Sequence, residues 1–320
     1  MSQVAVIIVS WNTRELLAQC LSAVFASVPP PAMEVWVVDN GSSDGSPAMI
    51  GARFPAAKLI QNSANAGFSR ANNQVLRQIT SGYALLLNPD AILPPDTLSA
   101  LWAWMEAHPA AAVVGPTLVN PDGSFQAAGN DFPRLLTQWL ALAGLAHRLL
   151  GPYFPSHGPA PVQAAVRADW VGGACLLARA EAIRAVGLLD ESFFMYAEET
   201  DWCFRMWQAG WEVYWLPAVQ CVHWRGQSSR QALMQTPARL AQASYRFFRK
   251  HYGQPRTALL QSGMVLFGLT KAALFSLAYL ASGASHELWK AKAIANWRIA
   301  REGIAPNRLT DGYGIRGPGE

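Results

Sequence analysis

Leu85-Leu86-Leu87 runs straight into Asn88-Pro89-Asp90. An uninterrupted apolar run of this kind reads as a strand buried on both faces, and its abrupt polar stop leaves a carboxylate at the tip. The same arrangement occurs twice earlier. Val4 to Val9 is apolar and stops at Ser10-Trp11-Asn12-Thr13, and Glu34 to Val38 stops at Asp39-Asn40-Gly41. Between them, Arg14 to Ser27 places Leu16, Leu17, Cys20, Leu21, Val24 and Phe25 on one helical side. Pro29-Pro30-Pro31 stops that helix. Lys58-Leu59-Ile60 reads as a short strand and Ser69 to Thr80 as a helix. The order β-α-β-β-α-β predicts an α/β fold: a Rossmann-like, mostly parallel sheet flanked by helices. Ligands bind such sheets at the carboxyl ends of the strands. Ser10, Asn12, Asp39, Asn88 and Asp90 are therefore expected to converge on one crevice.

Beyond Asp90 the pattern continues. A helix is expected over Pro95 to His108, a strand near Ala112 to Val114, and a hairpin turn at Asn120-Pro121-Asp122-Gly123. Residues 135–150 read as a very apolar helix, and Pro152, Pro155, Pro159 and Pro161 mark a mobile loop. Trp170 to Leu177 reads as a strand broken by Gly172 and Gly173. Glu181 to Val186 and Glu198 to Ala209 read as helices, Trp211 to Leu216 as a strand, and Val219 to His223 as an edge strand or loop.

Charge divides the 320 residues. Residues 1–236 carry 13 basic and 17 acidic side chains, whereas residues 237–305 carry 10 basic and 2 acidic ones. Residues 1–236 are expected to form the globular domain, 237–305 a helical segment, and 306–320 a flexible tail. Arg239 to His251 reads as a basic helix with aromatics. Thr257 to Thr270 gives 14 uncharged residues, Lys271 interrupts, and Ala272 to His286 gives 15 more. Neither half reaches the ~18–20 residues of a clear span, so a pair of amphipathic helices lying on a membrane surface is expected. A single tilted span with Lys271 buried is the alternative, and a soluble helical cap a third reading. The segment's Leu, Phe, Ala and Trp content favours lipid over nucleic acid as its partner. Nothing at the amino terminus resembles a signal peptide. Cys20, Cys175, Cys203 and Cys221 lack C-x-x-C spacing and read as buried, reduced thiols. A cytoplasmic chain, peripheral on the inner face of the cell membrane, is expected.

Asp90 at a strand tip reads either as the cap of the helix after it or as a ligand of Mg²⁺ or Mn²⁺, which sit on substrate phosphates with few protein contacts. His223 is a candidate to complete the shell, with Arg225 or Arg230 on phosphate. Glu198-Glu199-Thr200-Asp201 opens a helix, where carboxylates complement the dipole. Glu198 and Asp201 share a face with Arg205 one turn on, leaving Glu199 to face the crevice as a general base. Asp39 reads either as a turn former or as a contact to a nucleobase or ribose. Asn65-Ala66-Gly67-Phe68 is a polar loop capping the next helix. No P-loop, Gly-x-Gly-x-x-Gly after the first strand, or Gly-x-Ser-x-Gly is present.

Val6-Ile7-Ile8-Val9-Ser10-Trp11-Asn12, Val37-Val38-Asp39-Asn40-Gly41-Ser42-Ser43-Asp44-Gly45, Asn65-Ala66-Gly67-Phe68-Ser69-Arg70-Ala71-Asn72-Asn73 and Leu86-Leu87-Asn88-Pro89-Asp90 occur in that order. Gly172-Gly173-Ala174, Phe193-Phe194-Met195-Tyr196-Ala197-Glu198-Glu199-Thr200-Asp201 and His223-Trp224-Arg225-Gly226-Gln227-Ser228 follow. Over residues 4–230 this resembles the family 2 inverting glycosyltransferases of the GT-A fold, close to the bacterial rhamnosyltransferase-like group. The resemblance implies a nucleotide-sugar site of Ser10, Asn12, Asp39, Asn65, Gly67, Arg70 and Asn88, with Asp39 on the base. It implies a divalent metal held by Asp90, the last Asp of the family's Asp-x-Asp, and by His223. Glu199 matches the family's catalytic base, and Trp170, Gly172 and Gly173 would line the acceptor side. Asn88 replaces the first Asp of the Asp-x-Asp. Glu199 replaces the usual Asp, which leaves Asp201 and Glu198 open as alternative bases.

The implied reaction moves a sugar, rhamnose foremost, from a dTDP- or UDP-sugar to a hydroxyl of a glycan or lipid-linked glycan. The two replacements also admit a protein that binds a nucleotide sugar without turnover. A nucleotidyltransferase would need a basic Gly-rich loop after the first strand, which Ser10-Trp11-Asn12-Thr13 is not.

Overall fold

A computed structural model describes residues 3–28, 32–160, 163–224, 236–281 and 286–306. The expected stop at 29–31, the phosphate-binding Arg225 and Arg230, and the tail from 307 lie outside these residues. The chain divides into two compact units. One comprises 1–132, 153–194 and 198–228; the other comprises 133–152, 195–197 and 229–320.

The first unit is built on the apolar runs. β1 (Val4–Ser10) pairs in parallel with β2 (Met33–Asp39) on one side and β4 (Tyr83–Leu87) on the other, and β3 (Lys58–Gln61) extends β2. Val4, Val6, Ile7, Ile8, Leu85 and Leu86 are wholly buried, as strands covered on both faces must be. Each such side chain contributes roughly 1.5–3 kcal/mol of transfer free energy. α1 (Arg14–Phe25), α2 (Ser46–Arg53) and α3 (Phe68–Leu76) are the crossovers. α1 buries Leu17, Cys20, Leu21 and Val24 of the stripe its spacing predicts, while Leu16 is half-buried and Phe25, in the last turn, is exposed.

The sheet then changes character. After β5 (Ala91–Ile92) and α4 (Thr97–Ala107) come β6 (Ala111–Val119) and β7 (Phe125–Ala127), joined by the expected turn. β8 (Val166–Arg167), β9 (Cys175–Arg179), α7 (Ala180–Val186), α8 (Glu198–Gln208) and β10 (Glu212–His223) complete the unit. The order is β3-β2-β1-β4-β9-β6-β10-β5, with β7 on β6 and β8 on β10. β9 runs antiparallel to both β4 and β6 and separates the parallel amino-terminal strands from the parallel pair β6 and β10, so the whole sheet is mixed.

Two expectations shift here. The Gly-broken strand begins only at Cys175: Trp170 makes an isolated bridge to Asn130, Gly173 and Ala174 turn, and none of 170–174 belongs to a strand. The two short runs after Trp211 are one 12-residue strand with a register shift between Leu216 and Gln220. Pro217 lies in that shift, where its missing N–H costs no ladder bond.

The second unit is helical: α5 (Leu135–Ala143), α6 (Ala146–Leu149), α9 (Thr236–His251), α10 (Gly253–Ala281) and α11 (His286–Ile304). The apolar helix expected over 135–150 breaks at Gly144, whose φ of 81° ends α5 in a left-handed cap. Lys271 does not divide the apolar segment. α10 runs through it as 29 continuous residues, because Lys is a good helix former and its charge alone breaks nothing. The expected pair of short helices is therefore one long helix and a returning α11.

Candidate functional site

Parallel pairing puts the polar tips side by side. Ser10 sits opposite Asp39 in register, and the Asn40 N–H donates to the Ser10 carbonyl at 2.8 Å. Asn12, with φ of 52°, ties the two tips together. Its N–H donates to Ser42 Oγ at 2.9 Å, and its Oδ1 accepts the Ser43 N–H at 2.8 Å. Ser10 Oγ lies 3.0 Å from Thr13 Oγ1. Asp39 is 2% exposed and its two oxygens are in different situations. Oδ2 accepts the Ser42 N–H at 3.0 Å, the turn-forming role, whereas the buried Oδ1 has no partner. A buried acceptor without a donor is costly. A ligand N–H or hydroxyl would satisfy it, so the turn and ligand readings of Asp39 are compatible.

Asn65 supports this wall. Its Oδ1 accepts the Gly67 N–H at 3.0 Å and lies 3.3 Å from Asn40 Nδ2. Gly67 has φ of 84°, and a Cβ there would stand 2.7 Å from the Phe194 carbonyl. Arg70 points to Glu191, 3.7 Å away, which also binds Arg77 and, at 3.0 Å, Asn73 Nδ2. Asn73 further grips the Leu189 backbone through both ends of its amide, and Ser69 Oγ donates to the Phe193 carbonyl. The start of α3 is thus strapped to the loop that leads to α8.

Asp90 is buried, and its Oδ1 lies 3.2 Å from His223 Nε2. It does not cap α4, whose N-cap is Asp96. β5 follows it directly, and its carbonyl accepts the Trp224 N–H. The two residues, 133 positions apart in sequence, meet because β10 pairs with β5 at His223–Ala91. Gln126 on β7 carries no sequence signal, yet it sets the histidine. Its Nε2 donates to Asn120 Oδ1 and to the His223 carbonyl, both at 2.8 Å, so its Oε1 must face His223 Nδ1, 2.7 Å away. Nδ1 then carries the proton, and Nε2 presents a lone pair. Asn88 Nδ2 lies 3.4 Å from that lone pair. A lone pair 3.2 Å from a carboxylate oxygen is repulsive unless a cation or proton sits between them.

Among the described residues no group of three or more His, Cys, Asp or Glu side chains is set to hold a metal ion. Asp90 and His223 are a two-ligand set. It fits a hard divalent ion that takes its remaining ligands from water and phosphate oxygens.

The acidic cluster separates by role. Asp201 is wholly buried and binds Arg205 Nε at 2.9 Å, while that guanidinium donates to the Val186 and Leu188 carbonyls. Asp201 therefore fastens α8 to the preceding loop. Glu198 is buried, its Oε2 lacks a partner, and burial followed by the charge of Glu199 pushes its carboxyl well up. Glu199 is only partly covered. Burial raises its carboxyl to about 7, opposed by N–H groups of Glu199, Thr200 and Gly173. A base with that affinity is half ionised at neutral pH, where general-base catalysis is most effective. Gly173 stands between Phe68 and Glu199, and a Cβ there would touch both, whereas Gly172 faces open space. Trp170 is held by its indole N–H on the Asp131 carbonyl at 2.9 Å. Two non-glycine residues with positive φ, Tyr196 and Ala197, lead into the helix.

The model of the family described as "Glycosyl transferase family 2" matches residues 5–171. The N-acetylglucosaminyl-diphospho-decaprenol L-rhamnosyltransferase of Mycobacterium tuberculosis H37Rv is 29% identical over 245 residues, covering 70% of this chain and 76% of the relative. The low-salt glycan biosynthesis hexosyltransferase Agl10 of Haloferax volcanii is 24% identical over 227 residues, covering 70% and 67%. Mannosyltransferase PcManGT from Pyrobaculum calidifontis, solved with GDP-Man and Mn²⁺, superposes with a TM-score of 0.59 at 18% identity, covering 95% of this chain and 88% of that one. S. aureus TarS 1–349 superposes with a TM-score of 0.51 at 14% identity, covering 94% and 91%. At these identities the two solved structures speak for the fold alone, which is GT-A.

Proposed function

The chain belongs to glycosyl transferase family 2, and from that premise we propose that it transfers a sugar, with inversion, from a nucleoside diphosphate sugar to a lipid-linked glycan hydroxyl. The observation that carries the reading is the meeting of Asp90 Oδ1 with His223 Nε2, 3.2 Å apart, beside the tips of β1, β2 and β4. Asp39 Oδ1 holds the nucleobase, with Ser10, Asn12 and Asn65 shaping the wall around it. Asp90 and His223 hold Mg²⁺ or Mn²⁺. Bound there, the ion supplies positive charge to the departing diphosphate. Glu199 takes the proton from the acceptor hydroxyl as that oxygen attacks the anomeric carbon and the diphosphate leaves from the opposite face. Gly172 and Gly173, having no side chains, leave room for the acceptor next to the base, and Trp170 provides an apolar ring for a sugar face.

The M. tuberculosis relative acts, by its name, with L-rhamnose on a polyprenyl-diphosphate-linked N-acetylglucosamine. This supports rhamnose as the sugar and a membrane-borne acceptor; dTDP or UDP is the carrier we propose. The protein then works on the cytoplasmic side of the membrane, held there by its helical unit. Thermal unfolding with dTDP- and UDP-sugars, with and without Mn²⁺, tests the donor half. One nucleotide sugar should raise the transition in a Mn²⁺-dependent way, and Asp90→Ala should lose that dependence. An unchanged Mn²⁺ dependence in the variant overturns the metal assignment. Donor binding without product in the presence of lipid-linked acceptor overturns the catalytic one.

A further inference from the structure

α10 is long and apolar enough by composition to cross a membrane. At ~1.5 Å per residue it is ~43 Å long, more than the ~30 Å of a hydrocarbon core. Its neighbour forbids that placement. α11 runs back along it: Gln261 Nε2 donates to the Gly303 carbonyl at 3.1 Å, Gly268 abuts Asn296 and Ala300, and Phe275 stacks on Trp289 at 5.6 Å. The middle of the apolar helix thus lies beside a helix carrying exposed Lys290, Lys292 and Arg301 and the fully buried Glu302. A crossing would draw these charges into hydrocarbon.

Among the described residues nothing covers the leucine-rich opposite side of α10. Leu266, Leu277 and Leu280 are 62%, 64% and 78% exposed, with Leu269 and Leu274 beside them. Lys292 Nζ sits 4.6 Å over the Trp289 ring, an aromatic–cation pairing suited to a headgroup layer. We propose that α10 and α11 form a hairpin lying in the plane of the bilayer. The leucine face is sunk at the acyl boundary and the basic side chains rest on anionic headgroups. Charge selects this occupant over a second copy of the chain: residues 237–305 carry ten basic and two acidic side chains, so two copies repel where an anionic surface attracts. The inference rests on the reading of a membrane-borne acceptor and specifies how the chain meets that membrane.

The test uses the full chain and sealed vesicles of phosphatidylglycerol and phosphatidylethanolamine. The wild type should sediment with them, and less with phosphatidylcholine alone or at high salt. Leu266→Glu combined with Leu277→Glu should weaken binding at least tenfold while keeping the helical circular dichroism and the donor-induced thermal shift, since both side chains are exposed. Gln254→Cys and Ala281→Cys, at the two ends of α10, should both react with an impermeant maleimide added outside. The four native cysteines are buried and stay silent. Protection of one end means a span and overturns the proposal. Wild type left in the supernatant, or dimers whose leucine face is covered, also overturns it. Vesicle binding with no donor shift in any variant supports the hairpin and removes the transferase reading instead.

Discussion

His223 serves a cation in only one tautomer, and a neutral amide selects it. Gln126 is locked by two acceptors on its nitrogen, so its oxygen has to take the Nδ1 proton. Partners of this kind tune affinity without touching the ion. Gln126→Leu should therefore weaken Mn²⁺ binding ~10–100-fold with the fold intact, read as free Mn²⁺ by electron paramagnetic resonance. Equal affinity in the leucine variant would remove Gln126 from the site. Glu199 makes a second claim at this scale. With its carboxyl held at about 7, kcat should climb as pH rises through neutrality and level off above it. Glu199→Gln should lower kcat by ~10²–10⁴-fold and erase that limb, with little change in donor binding. A variant that keeps the limb would transfer the role to Glu198.

Between residues and fold stands the strap from α3 to the loop before α8. Gly67 is forced twice, by φ of 84° and by the Phe194 carbonyl 2.7 Å from where a Cβ would stand. Gly67→Ala should cost roughly 1–3 kcal/mol in urea unfolding and should lower kcat more than donor affinity, because the displaced loop feeds Glu199. At this scale the limits of sequence reading are physical. β1, β2 and β4 were legible because double-sided burial writes itself as a continuous apolar run. The pairing of Asp201 with Arg205 was legible because helical spacing sets it. The start of β9 was not, since Trp170 to Ala174 read like the strand that follows and only the fold shows Trp170 bridging Asn130 and Gly173-Ala174 turning. The continuity of α10 through Lys271 is not legible either, because a charge in an apolar run resembles a boundary although helix propensity does not fall there. Gln126 had no signal at all: a polar residue on a short hairpin acquires its role only when β10 brings His223 beside it.

Over the whole molecule the raised Glu199 carboxyl lowers stability at high pH. In the unfolded chain Glu199 has the ordinary carboxyl value of 4.5, and in the fold about 7. Between those values the folded state binds more protons than the unfolded one, so stability falls as pH rises through that window and stays lowered above it. Glu198, raised by burial and by Glu199's charge, acts in the same direction, and the two titrate as a pair. At ~1.4 kcal/mol per tenfold change in proton affinity the Glu199 contribution is at most about 3.5 kcal/mol. Glu199 is partly exposed, so screening reduces it to ~1–2 kcal/mol. Glutamine keeps the shape and cannot ionise. Glu199→Gln should therefore be more stable than the wild type by ~1–2 kcal/mol in urea unfolding at pH 8, with a much smaller gain at pH 5. An equal gain at both pH values would mean that the amide merely packs better. A gain confined to high pH, in a variant that has lost turnover, would show that the fold keeps a destabilising carboxylate at α8 because the chemistry requires it there.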